Sequence, residues 1–236
     1  KHINNMSTTK EKKPQIKLNE SHYNEMLGLC YKLYFQSDDI TREYGLVWYN
    51  HAILFVESLA NECNLSFDVV NHCLCVLSNA NDWETNKKDC TRMVKAFIAN
   101  ESIDSFKVST YGNDKRKAWN VLKNNIRIQP SALKTYSFSM NISNIDNHFN
   151  VTIDRHMLSA MLTREYGSIT PLKYSMFRNA IIEVANTFGI QPKQMQAILW
   201  LQIKINKEQI TLSDIAQSLE SFQKQTTELQ KMSTQK

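Results

Sequence analysis

Lys134 and Asp154 are the pair in this chain whose residue types and setting suit joint chemistry. Lys134 stands with Thr135 at the opening of an expected helix. Asp154 ends the short apolar run Val151-Thr152-Ile153 and leads through Arg155-His156 into another expected helix, 20 residues on from the lysine. A lysine amine becomes a nucleophile when desolvation lowers its pKa. A carboxylate stabilises positive charge that develops at a reacting carbon. Each residue also has a plainer role. An aspartate just before a helix suits an N-cap, accepting a backbone N–H, and a lysine in a first turn suits solvent.

Other constellations carry less. His72, Cys73 and Cys75 invite a metal, but helix positions two apart point about 200° away from each other. No second Cys/His pair follows at finger spacing, so these cysteines read as core thiols. His51 reads as a helix histidine satisfied by its neighbours. The chain contains no Walker loop, no G-x-G-x-x-G and no G-x-S-x-G. Phosphate cradles need glycine, and only 5 of 236 residues are glycine, against a usual share of ~7%. Neither a metal nor a cofactor is expected.

The elements that must hold the pair are helical. Glycine is scarce, proline occurs four times, and alternating β patterns are missing, which predicts an all-α fold. Apolar spacing predicts helices over 19–36, 41–63, 67–79, 87–100, 115–123, 131–142, 155–164, 172–188 and from 192 onward. Residues 78–86 read as a polar loop around Trp83, and 100–114 as the loop between two lobes. Gly189 fits the residue after a helix end, and Pro192 the first turn of the last core helix. Residues 1–17 read as a disordered tail. Residues 207–236 read as a polar C-terminal helix or tail, with Ile210, Leu212, Ile215, Leu219 and Phe222 forming a weak apolar repeat that could dock a protein partner.

Composition bounds the surroundings. A net charge of +5 permits a nucleic-acid partner without demanding one. No apolar run approaches the ~20 residues of a membrane span, so no membrane partner is expected. The first 13 residues lack the apolar stretch of a secretory signal. Five unframed cysteines suit an intracellular, reducing compartment.

The stretch from 108 to 164 adds a family resemblance. It contains Lys117-Ala118 with Leu122, Lys134-Thr135 after a turn, Asn141-Ile142, and Val151-Thr152-Ile153-Asp154-Arg155-His156. Upstream stand Leu77-Ser78, Trp83 and Asn86, and downstream Gln196-Ala197-Ile198 with Trp200. Over residues 44–204 this resembles the helix–hairpin–helix DNA glycosylase superfamily, and more closely a phage-encoded branch with that architecture. The resemblance implies a two-lobed helical domain over 18–206 with a cleft between the lobes. It implies a double-stranded DNA partner and cleavage of the N-glycosidic bond of a damaged or modified base. Asp154 would be the carboxylate at the sugar. Lys134 would be the amine that attacks C1′, giving lyase activity, or would bind a phosphate. Lys115, Lys117, Ser131, Thr135, Arg155 and His156 would contact nucleic acid.

The chain departs from the family pattern at the hairpin. The family form is L-x-G-x-G-x-K-T; here Ile128-Gln129-Pro130-Ser131-Ala132-Leu133-Lys134-Thr135 holds no glycine. Pro130 also removes one N–H donor. That weakens the case for the amine and leaves the carboxylate untouched. Two other readings stay open: a non-catalytic DNA-binding or assembly protein that retains the fold, and a helical interaction module that docks a partner through 207–236.

Overall fold

A computed structural model describes residues 18–79, 81–161 and 170–234. These residues are all-α. Ten α-helices follow one another: α1 (Glu20–Gln36), α2 (Asp39–Cys63), α3 (Phe67–Leu77), α4 (Trp83–Ile98), α5 (Gly112–Asn124), α6 (Leu133–Ser143), α7 (Arg155–Met161), α8 (Pro171–Thr187), α9 (Pro192–Asn206) and α10 (Leu212–Thr234). The expected tail at 1–17 and the expected last turn of the helix over 162–164 lie outside the described residues. Among the described residues no helix is long and apolar enough to cross a membrane.

Local chemistry sets most boundaries. The side chains of Asp38, Ser66 and Asp82 each accept the N–H three residues on, opening α2, α3 and α4. Thr170 with Pro171 opens α8, and Pro192 starts α9. Where a helix ends on a residue at positive φ, this glycine-poor chain uses asparagine three times: Asn64, Asn100 and Asn125 lie at φ 52°, 54° and 51°. Gly189, at φ 66°, fills the expected role after α8.

Two apolar cores share α9. The first gathers α2 to α6 with α10; the second gathers α1, α7, α8 and the run Val151–Ile153. Along α9, Ala197 and Leu201 enter the first core while Met195, Leu199 and Ile203 enter the second. Gly45 of α2 lets α9 close in: a Cβ there would lie 3.0 Å from the Ile198 Cα and collide with its side chain.

Three boundaries differ from the sequence reading. The 100–114 loop does not divide the cores. Phe106 is buried, and Val94 and Ala118 on either side share one core. The polar stretch 78–86 is not all loop, because Asp82 caps α4 at Thr85 (2.9 Å) and Trp83 is its first residue. The apolar repeat after 207 does form a helix, but its own chain takes it up: Ile215, Leu219 and Phe222 are buried, and α10 packs on α2.

Candidate active site

The segment that carries Asp154 is fixed by two buried tyrosines. Tyr174 of α8 donates its hydroxyl proton to the Val151 carbonyl at 2.7 Å and accepts the Ile153 N–H at 3.3 Å. Tyr49 of α2 donates to Gln196 Oε1 of α9 at 2.6 Å and lies 3.0 Å from the Thr152 hydroxyl. Asn141 of α6 donates to the Tyr49 and Thr152 oxygens, each at 3.2 Å. A non-helical run inside the protein must satisfy its backbone polar groups. These side chains do so for Val151 and Ile153 while apolar Val151 and Ile153 anchor the run in the second core.

Asp154 then uses both oxygens. Oδ1 accepts the Met157 N–H at 2.9 Å and caps α7, as the plainer reading expected. Oδ2 accepts the indole N–H of Trp200 at 2.9 Å. The carboxylate is half-buried on the wall of a cavity of about 70 Å³, which with its open mouth reaches about 530 Å³.

Lys134 lies on the wall of the same cavity. Its ammonium donates to the Ser78 carbonyl (3.3 Å), the Ser78 hydroxyl (3.1 Å) and Asn79 Oδ1 (3.2 Å). Ser78 is the C-cap of α3, so the cation sits at the negative end of a helix. Three acceptors hold the Lys134 amine in place.

Three indoles complete the chamber. Trp48 of α2 is buried, with the rings of Trp83 (α4) at 5.1 Å and Trp200 (α9) at 5.6 Å from its own. Phe138 packs behind Trp48 at 6.1 Å. Asn86, one turn along α4 from Trp83, is buried on the same wall. Its amide N–H donates to the Leu74 carbonyl at 3.3 Å, which turns Oδ1 the other way, and among the described residues that oxygen has no hydrogen-bond partner. A buried acceptor left unsatisfied costs about 1–3 kcal/mol.

The other predicted contacts fall in two groups. Lys117 and Thr135 share a groove of about 300 Å³ with Arg127, Gln129 and Ala132, beside the α5–α6 loop. Lys117 also pairs with Asp114 at 3.2 Å. Ser131 is exposed on the turn closed by the Ala132 N–H on the Gln129 carbonyl (2.9 Å). Lys115 does not reach that groove; its ammonium folds back onto the Phe106 ring and carbonyl. His156 is half-buried on α7, and the side chain of Arg155 lies outside the described residues. Among the described residues no cluster of three His, Cys, Asp or Glu could hold a metal.

Lys204 was missed in the sequence. It is buried on α9, one turn beyond Trp200, with its ammonium 4.4 Å over that ring. Burial lowers its pKa, and the charges of Asp154 and Asp82 pull the other way. The four-residue spacing to Trp200 was the available signal; that the shared face looks toward Asp154 depends on how α9 packs.

Comparison with curated proteins and with solved structures returns no match. A model of a family of unknown function, DUF7178, matches residues 12–207, ending before α10. The match covers most of the chain, and the protein belongs to that family.

Proposed function

We propose that this chain binds double-stranded DNA, takes one base out of the stack into the indole-lined cavity and cleaves its N-glycosidic bond, as a helix–hairpin–helix glycosylase does. One observation carries the reading: Lys134 and Asp154, singled out by sequence, line one cavity with Trp48, Trp83 and Trp200. Base–aromatic stacking contributes about 1–3 kcal/mol per base, which offsets part of the cost of unstacking. The unpaired Asn86 oxygen suits a ring N–H or amino donor.

Asp154 faces the charge that develops at C1′. Water oxygen bonds to C1′, the C1′–N electron pair leaves with the base, and the water's surplus proton is passed to the base. The three acceptors around Lys134 favour this hydrolytic route over attack by the amine. The groove with Lys117, Arg127 and Thr135 takes the DNA backbone, beside the N-terminus of α6, which has no side-chain cap.

A second reading, a DNA-binding protein without turnover, is favoured by the α5–α6 loop. Its left-handed residue is Asn125, and no glycine brings the backbone against a phosphate. Binding to duplexes across a salt series separates these ideas from a protein that does not use DNA. Both require affinity that falls as salt rises; flat or undetectable binding overturns both. Strand breaks after alkali, on duplexes carrying single modified bases, then distinguish the first reading from the second.

A further inference from the structure

Lys204 stands apart from the other cations near the indoles. Lys134 reaches three oxygen acceptors, and Lys87 pairs with Glu84 at 2.9 Å. Lys204 is 7% exposed, and among the described residues its ammonium donates no hydrogen bond and joins no ion pair. Its contact is the face of the Trp200 indole at 4.4 Å. Taking an ammonium out of water is costly unless something compensates it, and a ring face offsets part of that. The charges of Asp154 and Asp82 add to it: both oppose the lowering of the Lys204 pKa by burial.

Trp200 in turn is held on three sides. Its N–H donates to Asp154 Oδ2 at 2.9 Å. Trp48 meets it edge-on at 5.6 Å and 65°. Lys204, four residues on along α9, lies over its face. The ring therefore carries a cation on its face and an anion on its N–H. A cation over the face draws electron density from the ring and makes the N–H a stronger donor, as polar groups in a chain polarise one another. A stronger donor on Oδ2 favours the charged carboxylate over the neutral acid. The plainer role is a stem packed along α9 with its head in water or on an acid. Glu84 and Asp214 border the same groove, but each has another partner, and the ammonium lies on the ring.

We propose that Lys204 is a positioning residue for Asp154, acting through Trp200. Its charge holds the indole plane, strengthens the N–H on Oδ2 and favours the ionised carboxylate. The relay stands on these contacts; its consequence for cleavage rests on the glycosylase reading. In that reading the carboxylate facing C1′ must be both ionised and aimed, and Lys204 serves both needs without touching the substrate.

The test follows the Trp200 side chain by NMR in the full chain, its signals identified among four tryptophans by their loss in Trp200→Phe. Lys204→Met removes the charge and keeps an unbranched stem; Lys204→Arg keeps a charge that does not titrate. Thermal midpoints show that both variants fold. At neutral pH the Trp200 N–H resonance should move upfield in Lys204→Met, as a weakened hydrogen bond does, and stay near its wild-type position in Lys204→Arg. As pH rises, the wild-type ring carbons should shift with a midpoint below the ordinary lysine value, and Lys204→Arg should abolish that step. Across the groove Lys204 faces Tyr44 and His51 of α2, Asp82, Glu84 and Lys87 of α4, and Asp214 of α10. A step caused by Tyr44, Lys87 or Lys134 would survive in Lys204→Arg. Such survival, or an unmoved N–H in Lys204→Met, overturns the proposal. Base release should slow about tenfold or more in Lys204→Met at unchanged duplex affinity and recover in Lys204→Arg; release by Lys204→Met at the wild-type rate also overturns it. No release by the wild-type chain removes the glycosylase reading and leaves the NMR result to decide the relay.

Discussion

Asp154→Asn separates the two oxygens of one carboxylate. Asp154 needs both, Oδ1 for the Met157 N–H and Oδ2 for the Trp200 indole N–H. Asparagine offers one oxygen and one NH2 group. Whichever way it turns, one part-buried donor loses its acceptor and faces another donor. Leaving such a donor unsatisfied costs about 1–3 kcal/mol. For a chain of this size that is a fall in thermal midpoint of roughly 2–4 °C per kcal/mol. Trp200→Phe removes the indole donor and keeps an aromatic ring. In that background asparagine can keep its oxygen on Met157 and turn its NH2 group to the cavity, so the second substitution should cost under ~0.5 kcal/mol. A double-mutant cycle by thermal unfolding should therefore show coupling of about 1 kcal/mol or more. Additive effects would refute the reasoning. They would mean that the indole–carboxylate bond contributes nothing and that Asp154 serves α7 alone.

Three further outcomes are expected. Gly45→Ala should destabilise by up to about 2 kcal/mol, because overpacking against Ile198 of about 1–3 kcal/mol is set against the ~1 kcal/mol gained in helix propensity; chemical denaturation reads the difference. Burial, with the nearby charge of Lys87, holds His51 at a pKa of about 4. The unfolded chain binds the proton first, near 6.5. Stability should fall as pH drops from 6.5 toward 4, by up to about 3 kcal/mol, and His51→Gln should flatten that part of the midpoint-versus-pH curve relative to wild type. Native protein should titrate one thiol, Cys63, which is half-buried and whose pKa partial burial and the Glu62 charge raise. Cys30, Cys73, Cys75 and Cys90 are buried and should react with a thiol reagent only after denaturation.

Much of the helical order was legible in single residues. Gly189 and Pro192 mark a helix end and a helix start by mechanisms that need no tertiary information. The start of α4 was hidden because its first turn, Trp83-Glu84-Thr85-Asn86, is polar except for the indole, and its inward residues only make sense against α2 and α3. The loop at 100–114 looked like a division because it is polar. Phe106 and Val108 anchor it to the first core instead. Of the site, Lys134 and Asp154 were visible through their motifs. The partners that define what each does, Ser78 for the amine and Trp200 for the carboxylate, lie 56 and 46 residues away in sequence. The four-residue spacing to Trp200 sets Lys204 beside the indole, but nothing local says that this face of α9 is buried and looks toward Asp154.

Release of a free base, scored as alkali-labile strand breaks with the wild-type chain and Asp154→Asn side by side, tests the central claim most directly. The account predicts release by wild type and a loss of about 100-fold or more in the variant, with duplex affinity unchanged. Release by Asp154→Asn at the wild-type rate, or none by wild type on any modified base in the panel, would contradict it.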